Sequence, residues 1–160
     1  MKAKGVLLVL SGPSGAGKGT VCRALVEKEP NIRLSVSATT RKPRAGEVDG
    51  VNYFFGTRER VQEMIKAGEL LEWAEVYGNY YGTPRKAVEE ALQEGYDVLL
   101  EIDVQGGLQV KEKFPEAVLI FLLPPSRAAL VERLTGRGTD SAEEIRRRLR
   151  WASTELQSLY

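Results

Sequence analysis

Histidine is missing from these 160 residues, and cysteine occurs once, as Cys22. Without an imidazole, Ser–His hydrolytic chemistry and most zinc sites are excluded. A single cysteine excludes an internal disulfide and a cysteine metal cage, so Cys22 reads as a small hydrophobe in the first helix. Excess charge of one sign is missing too. Lys and Arg number 23 against 22 Asp and Glu, a formal net charge of +1, so no overall field draws the chain to nucleic acid or to a membrane. No apolar run is long enough to span a bilayer. Basic Met1–Lys4 is followed only by a short apolar stretch, so no secretory segment is expected and the location reads as cytoplasmic. Internal repeats and low-complexity tracts are absent as well. At 42% hydrophobic and 28% charged, the chain reads as globular and large enough for one domain with a core.

What is present is organised around one stretch. The apolar run Val6–Leu10 breaks into Ser11-Gly12-Pro13-Ser14-Gly15-Ala16-Gly17-Lys18-Gly19-Thr20, and a helical pattern with Val21, Ala24 and Leu25 on one face follows. Strand, glycine-rich loop and helix are the context of a phosphate-binding loop. Glycines at 12, 15 and 17 let backbone N–H groups curl around phosphate oxygens. The helix N-terminus adds partial positive charge, and Lys18 adds a full one that can follow a transferred phosphoryl group. The residue after the lysine is Gly19, where a Ser or Thr hydroxyl would ligate Mg²⁺, and Thr20 comes next. The loop implies a nucleoside triphosphate site.

Downstream, the first helix runs to about Glu29 and stops before Pro30, and Ile32–Val36 reads as a short strand. The polar stretch Ser37–Gly50, broken by Pro and Gly, is too long for a mere connection. Val51–Phe55 reads as a strand, and a helix from near Arg58 stops at Gly68. Leu70–Val76 reads as a strand, Tyr77–Gly82 as a turn, and Thr83-Pro84 as N-cap and first residue of a helix ending near Gly95. Val98–Asp103 is a buried strand ending in acids, followed by a helix over about Gly107–Lys113 and a continuous apolar strand, Ala117–Leu123. Ser126 caps the next helix, Gly136–Thr139 is a short break, and Ser141–Glu144 is a capping box opening the last helix. Continuous apolar strands suit a parallel sheet covered on both faces. Strands alternating with helices give an α/β, doubly wound fold. The expected division is a core at 1–36 and 84–134, an inserted small mixed α/β subdomain at 37–83, and a lid with its following helix at 135–160.

Glu101 and Asp103, two apart, would share one strand face. Beside a phosphate loop such an acid holds Mg²⁺ directly or through water, and a solvated strand end is the plain alternative. In the insert, Arg41 and Arg44 with Tyr53, Tyr80 and Tyr81 supply guanidinium forks and hydroxyls that match phosphate oxygens. The second substrate is therefore expected to be a phosphate itself. Glu72, among Leu70, Leu71 and Trp73, needs a donor partner. Guanine offers two adjacent donors, N1–H and the 2-amino group, and an edge-strand salt bridge would serve Glu72 equally. Gly136 and Gly138 flank Arg137 as hinges, and Arg133 and Arg146–Arg148 lie nearby. They suggest a positively charged lid that closes over the transferring group and expels water. One or two of the last three arginines read equally well as a solvated helix face.

Gly12–Thr20, Ser35–Glu47, Gly78-Asn-Tyr-Tyr-Gly82, Asp103-Val-Gln-Gly106 and Gly136-Arg-Gly-Thr139 together resemble the guanylate kinase family almost from end to end. That family has the P-loop NTPase fold and transfers a phosphoryl group from ATP to GMP with Mg²⁺. The resemblance implies that Gly12, Ser14, Gly15, Ala16, Gly17, Lys18, Gly19 and Thr20 hold the ATP phosphates. Ser37, Glu72 and Thr83 would contact guanine, with Asp103 near the base or ribose, and Arg41, Arg44, Tyr53 and Tyr81 would hold the GMP phosphate. Lys18, Arg137 and Arg148 would stabilise the transferred group, with Arg133 a further candidate. Mg²⁺ would fall to Glu101, directly or through water, or to Thr20. The resemblance decides the reading of Glu72 in favour of guanine. There are departures: Gly19 stands where Ser is more frequent, and Glu101 where many members have Asp. The chain also ends at Tyr160, where members usually continue through another strand, a final helix and adenine contacts. That ending leads to the expectation of a sheet edge at Val118, Ile120 and Leu122, completed by a longer chain or by self-association. The alternative is a kinase-like module that binds phosphorylated peptides. Such modules have degraded phosphate loops, so Lys18, Arg137 and the full glycine set favour the enzyme.

Overall fold

The computed structural model describes residues 3–136, 138 and 140–157. The run of β-branched and aliphatic residues after Val6 forms β1 (Leu7–Ser11), and the glycine loop leads straight into α1 (Lys18–Lys28). β1 is central. It pairs in parallel with β7 (Asp97–Glu101) on one side and with β8 (Val118–Phe121) on the other, and β2 (Ile32–Leu34) adds outside β7, giving the order β2-β7-β1-β8. Val9, Leu99 and Leu100 are at most 1% exposed, because helices cover both faces. On one face α3 (Arg85–Gln93) and α4 (Val104–Lys113) bring Val88, Ala91, Leu92 and Val110 against Leu7, Val9, Val98 and Leu100. On the other, α1 packs Cys22, Val21 and Leu25 against Leu10 and Leu99. Burying apolar area on both faces is the main stabilising term of such a layer, at about 25 cal/mol per Å².

Coverage fails at β8. Val118, Leu119 and Ile120 are 45%, 38% and 42% exposed, so this strand is a sheet edge rather than a strand buried on both faces. It pairs with β1 alone among the described residues.

A second sheet has the order β4-β3-β6-β5, from β3 (Ala38–Thr39), β4 (Phe54–Phe55), β5 (Leu70–Val76) and β6 (Asn79–Pro84). The helix α2 (Arg58–Lys66), capped by the Thr57 side chain, packs on β5, and Gly68 takes φ 68° just past its end. The turn expected over Tyr77–Gly82 shrinks to Tyr77-Gly78, with φ 52° and 78°. Two residues of positive φ match the twist of a tight hairpin, so Asn79–Pro84 is free to pair along β5. Thr83 is consequently a strand residue opposite Glu72 and caps nothing; α3 begins at Arg85 without a side-chain cap bond.

Three further boundaries move. The strand expected to Val36 stops at Leu34, and the one expected from Val51 shortens to Phe54–Phe55. The strand expected to end at Asp103 stops at Glu101, because the Asp103 carboxylate accepts from the Gly106 amide (2.9 Å) and opens α4 at Val104. Asp103 and Glu101 therefore do not share a strand face. The last two helices follow the sequence closely. Ser126 Oγ accepts from the Ala129 amide ahead of α5 (Arg127–Gly136). In the capping box before α6 (Ala142–Gln157), the Ser141 amide donates to Glu144 and the Glu144 amide donates to Ser141 Oγ. Leu130 and Leu134 of α5 pack on Ala152, Ile145 and Leu149 of α6.

Candidate active site

A cavity of about 260 Å³ lies where the phosphate loop, the second sheet and α6 meet. Its walls bring together Ser14 and Lys18 from the loop and α1, Ser37, Arg41, Arg44, Tyr53, Glu72 and Tyr81 from the second sheet and its loops, Glu101 and Asp103 from the end of β7, and Arg148 from α6. A second cavity of about 220 Å³ shares Arg41, Arg44, Tyr81 and Arg148 with it and reaches Asn79 and Arg147.

The phosphate loop holds its shape through glycine. Gly15 and Gly17 take φ 87° and 99°, where other residues are strained. A Cβ on Gly15 would also press on Leu130 and Leu134 at 3.1–3.2 Å. Lys18 Nζ donates to the carbonyls of Gly12 and Pro13. Burial lowers the pKa of Lys18, while the carboxylates of Glu155, Glu101 and Asp103 act the other way. Arg133 is tied to the loop itself, donating to the carbonyls of Gly15 (3.2 Å) and Ala16 (3.1 Å). Gly19 sits against Glu101, whose Oε1 would lie 3.7 Å from a Cβ there. Thr20 is exposed on the first turn of α1.

At the opposite end, Glu72 is 3% exposed. Its Oε1 accepts from Thr83 Oγ1 at 2.6 Å, and its Oε2 faces Gly106, where any Cβ would collide with it. Burial pushes the carboxyl up to about 7, against the opposing pull of the Thr83 hydroxyl. Among the described residues it has no salt-bridge partner, so the edge-strand ion pair is not its role. Asp103 uses one oxygen as the α4 cap, its other oxygen has no partner among the described residues, and burial raises its pKa.

Between these ends stands a basic and aromatic wall. Arg41 makes a two-pronged pair with Glu47 (2.8 and 2.9 Å), and Glu47 also accepts from the Arg44 amide (2.7 Å). This pairing raises the pKa of Arg41 and lowers that of Glu47. The Arg41 guanidinium lies 5.2 Å from the Tyr53 ring, and Tyr53 meets Tyr81 edge-on at 6.1 Å. Tyr80 does not join them. Strand alternation turns it to Trp73 and Arg58 on the other face. Arg148 forms an ion pair with Asp140 at 2.9 Å, and Arg137 lies outside the described residues.

The sequence reading missed several groups. Glu47 orients Arg41, and its only sequence signal was its place at the end of the Ser35–Glu47 stretch. Tyr77, Trp151 and Glu155 line the cavity. Trp151 and Glu155 follow Arg148 at helical spacing, a signal that could have placed them on its face.

Comparison with known proteins follows the same outline. The family model described as guanylate kinase matches residues 4–160. A guanylate kinase from Caldanaerobacter subterraneus subsp. tengcongensis is 60% identical over 156 residues, covering 98% of this chain and 76% of its own length. One from Halalkalibacterium halodurans is 58% identical over 158 residues, covering 99% and 78%. The crystal structure of guanylate kinase from Anaplasma phagocytophilum superposes with a TM-score of 0.76 at 41% identity, covering 98% of this chain and 72% of its own. The chain thus spans about three quarters of the length of these relatives.

Proposed function

The chain belongs to the guanylate kinase family and catalyses phosphoryl transfer from ATP to GMP; we propose that the residues of its cleft share that work according to where they stand. Guanine is read by Glu72, held in place by Thr83 and hemmed in by Gly106, with Ser37 and Asp103 beside it. A carboxylate accepts both N1–H and the 2-amino group, a pair of donors that adenine lacks. The GMP phosphate is held by Arg41, Arg44, Tyr53 and Tyr81. The loop from Gly12 to Thr20 cradles the ATP phosphates. Lys18, Arg148 and Arg137 stabilise the charge of the group in flight, and Arg133 acts indirectly by bracing the loop.

The GMP phosphate oxygen that attacks is already anionic, so no general base is required. Positioning and electrostatic stabilisation carry the rate. The donors available to Mg²⁺ are Glu101 and Thr20, hard oxygens beside the loop. No group of three acids able to cage a metal occurs among the described residues. Mg²⁺ keeps several waters and takes one or two protein oxygens together with substrate phosphates, a share that Glu101 and Thr20 would supply. When bound, the ion neutralises charge on the phosphates. No helix among the described residues is long and apolar enough to cross a membrane, and a cytoplasmic enzyme acting on small nucleotides fits this cleft. A phosphopeptide module would leave the intact loop and Lys18 without use, and no relative named above is such a module.

One observation carries this reading: Glu72, a buried carboxylate without an ion-pair partner among the described residues, shares a cavity with Lys18, Arg41 and Arg44. Lys18→Met tests the division of labour. Turnover should fall on the order of 10³-fold, while GMP binding stays within about twofold because its contacts lie elsewhere. Near-normal turnover in the pure variant would sink the assignment.

A further inference from the structure

β5 is an outer strand of the second sheet and pairs with β6 alone among the described strands. An outer strand presents a row of backbone N–H and C=O groups that no ladder takes up. Alternate residues point these groups to the same side, and Leu71 and Trp73, the two neighbours of Glu72, turn theirs towards α4. The Gln109 side-chain amide accepts from the Trp73 N–H (3.2 Å) and donates to the Trp73 carbonyl (2.6 Å). It uses one donor and one acceptor, as the peptide group of a further strand would. Lys113 Nζ donates to the Leu71 carbonyl at 2.8 Å. The three bonds bracket Glu72 from both sides.

The bracketed position is irregular. The pairing of β5 with β6 shifts register between Leu70 and Glu72. Leu71 and Glu72 are 0% and 3% exposed, where regular alternation sends neighbours to opposite faces. Such an irregularity re-aims a side chain, and a slip of one residue would turn Glu72 to the other face. α4 also supplies Gly106, against Glu72 Oε2. Gly106, Gln109 and Lys113 follow at steps of three and four, so one face of α4 runs along this stretch of β5. Val110 anchors the same helix in the apolar layer of the first sheet. Neither Gln109 nor Lys113 lines either cavity.

We propose that Gln109 and Lys113 are positioning residues for base selection, clasping the main chain on both sides of Glu72 and so holding its carboxylate where it meets both guanine donors. The proposal rests on the reading of Glu72 as the guanine acceptor, and it places part of the specificity in two side chains outside the cleft. Lys113 also attracts the Glu72 carboxylate, which Asp103 repels. Gln109 is neutral, so its removal tests the clasp without that charge.

Calorimetric titration of the whole chain with GMP and inosine monophosphate, with steady-state kinetics alongside, is the test. Hypoxanthine keeps N1–H and lacks the 2-amino group, so one oxygen of Glu72 goes unpaired. The unaltered protein should bind GMP at least about tenfold more tightly than the inosine nucleotide. Gln109→Ala and Lys113→Met should each narrow that ratio to within about threefold. Each should raise KM for GMP while kcat stays within about threefold, as loss of uniform binding does. Lys113→Arg keeps the charge and a donor and should keep the ratio. Hydrogen exchange in the unaltered protein needs no variant to fold: the Trp73 amide should exchange at least about tenfold more slowly than an unbonded amide. Free exchange there overturns the proposal. So does a ratio that neither substitution moves, including one kept because both nucleotides weaken alike, as a merely structural loss would have it. Narrowing by Lys113→Met alone makes Lys113 a counter-charge of Glu72 and also overturns the clasp. No preference for GMP in the unaltered protein overturns the Glu72 reading and this proposal together, whereas a preference that both variants keep overturns this proposal alone.

Discussion

Replacing Glu72 by glutamine keeps the shape of the side chain and removes its charge. Thr83 Oγ1 can still donate to the remaining carbonyl oxygen, so the hydrogen bond now at 2.6 Å is retained. Guanine loses more. One of its two donors faces the amide NH₂, and an unpaired buried donor costs about 1–3 kcal/mol, or about 5- to 150-fold in GMP affinity. The pH dependence adds a second signature. Burial holds the Glu72 carboxyl at about 7, and only the ionised form accepts both donors. About one tenth is ionised at pH 6 and about nine tenths at pH 8. Apparent affinity scales with the competent fraction, so GMP should bind about tenfold more tightly at pH 8 than at pH 6 through this group. The phosphate of GMP also titrates near pH 6, by about the second pKa of a phosphate monoester; the variant keeps that slope and loses the rest. Stability moves the opposite way. A carboxyl raised from 4.5 to about 7 contributes fully below its unfolded value, and that contribution is lost as pH rises through the folded value. The difference is about 3 kcal/mol at most. Ligand-free Glu72→Gln should therefore melt several degrees above the parent at pH 8, at roughly 2–4 °C per kcal/mol, with the gap closing towards pH 5. Titrations of GMP and ATP at pH 6, 7 and 8, with melting curves alongside, measure all of this. Equal weakening of ATP and GMP, or the same pH slope in both proteins, would refute the base-reading role.

Gly106→Ala should separate local from functional effects: alanine favours the α4 helix by about 1 kcal/mol, yet its Cβ would collide with Glu72 Oε2, so calorimetry should give at least about tenfold weaker GMP binding with the fold retained. Glu47→Gln should loosen Arg41, which Glu47 now grips with both oxygens; GMP should weaken by about three- to tenfold, as for loss of a charge-assisted pair, with ATP affinity unchanged in the same titration.

Some of this protein was legible from residue order, where local chemistry decides the structure. The phosphate loop is one case, because glycines with positive φ and a lysine at fixed spacing leave few alternatives. The capping box at Ser141 and Glu144 is another, since both of its bonds are made within four residues. What misled was local chemistry overridden at long range. Gly78, Asn79 and Gly82 look like one loop, but pairing with β5 turns all but the first into a strand. Thr83 looks like a cap, and the same pairing puts its hydroxyl on Glu72 instead. Asp103 looks like a strand residue, but capping α4 takes it out of the strand. Glu47 escaped because its pairing with Arg41 depends on how their loop folds, and the Trp151–Glu155 face because the cavity it lines is built from elements distant in sequence.

The central claim is that this cleft passes a phosphoryl group from ATP to GMP and chooses guanine through Glu72. ADP formation from ATP and Mg²⁺, measured with GMP, AMP, CMP and UMP in turn as acceptor, tests it most directly. ADP should accumulate with GMP and stay near the acceptor-free rate with the other three. An equal or faster rate with any of those three, or ADP formed at the same rate with no acceptor present, would contradict it.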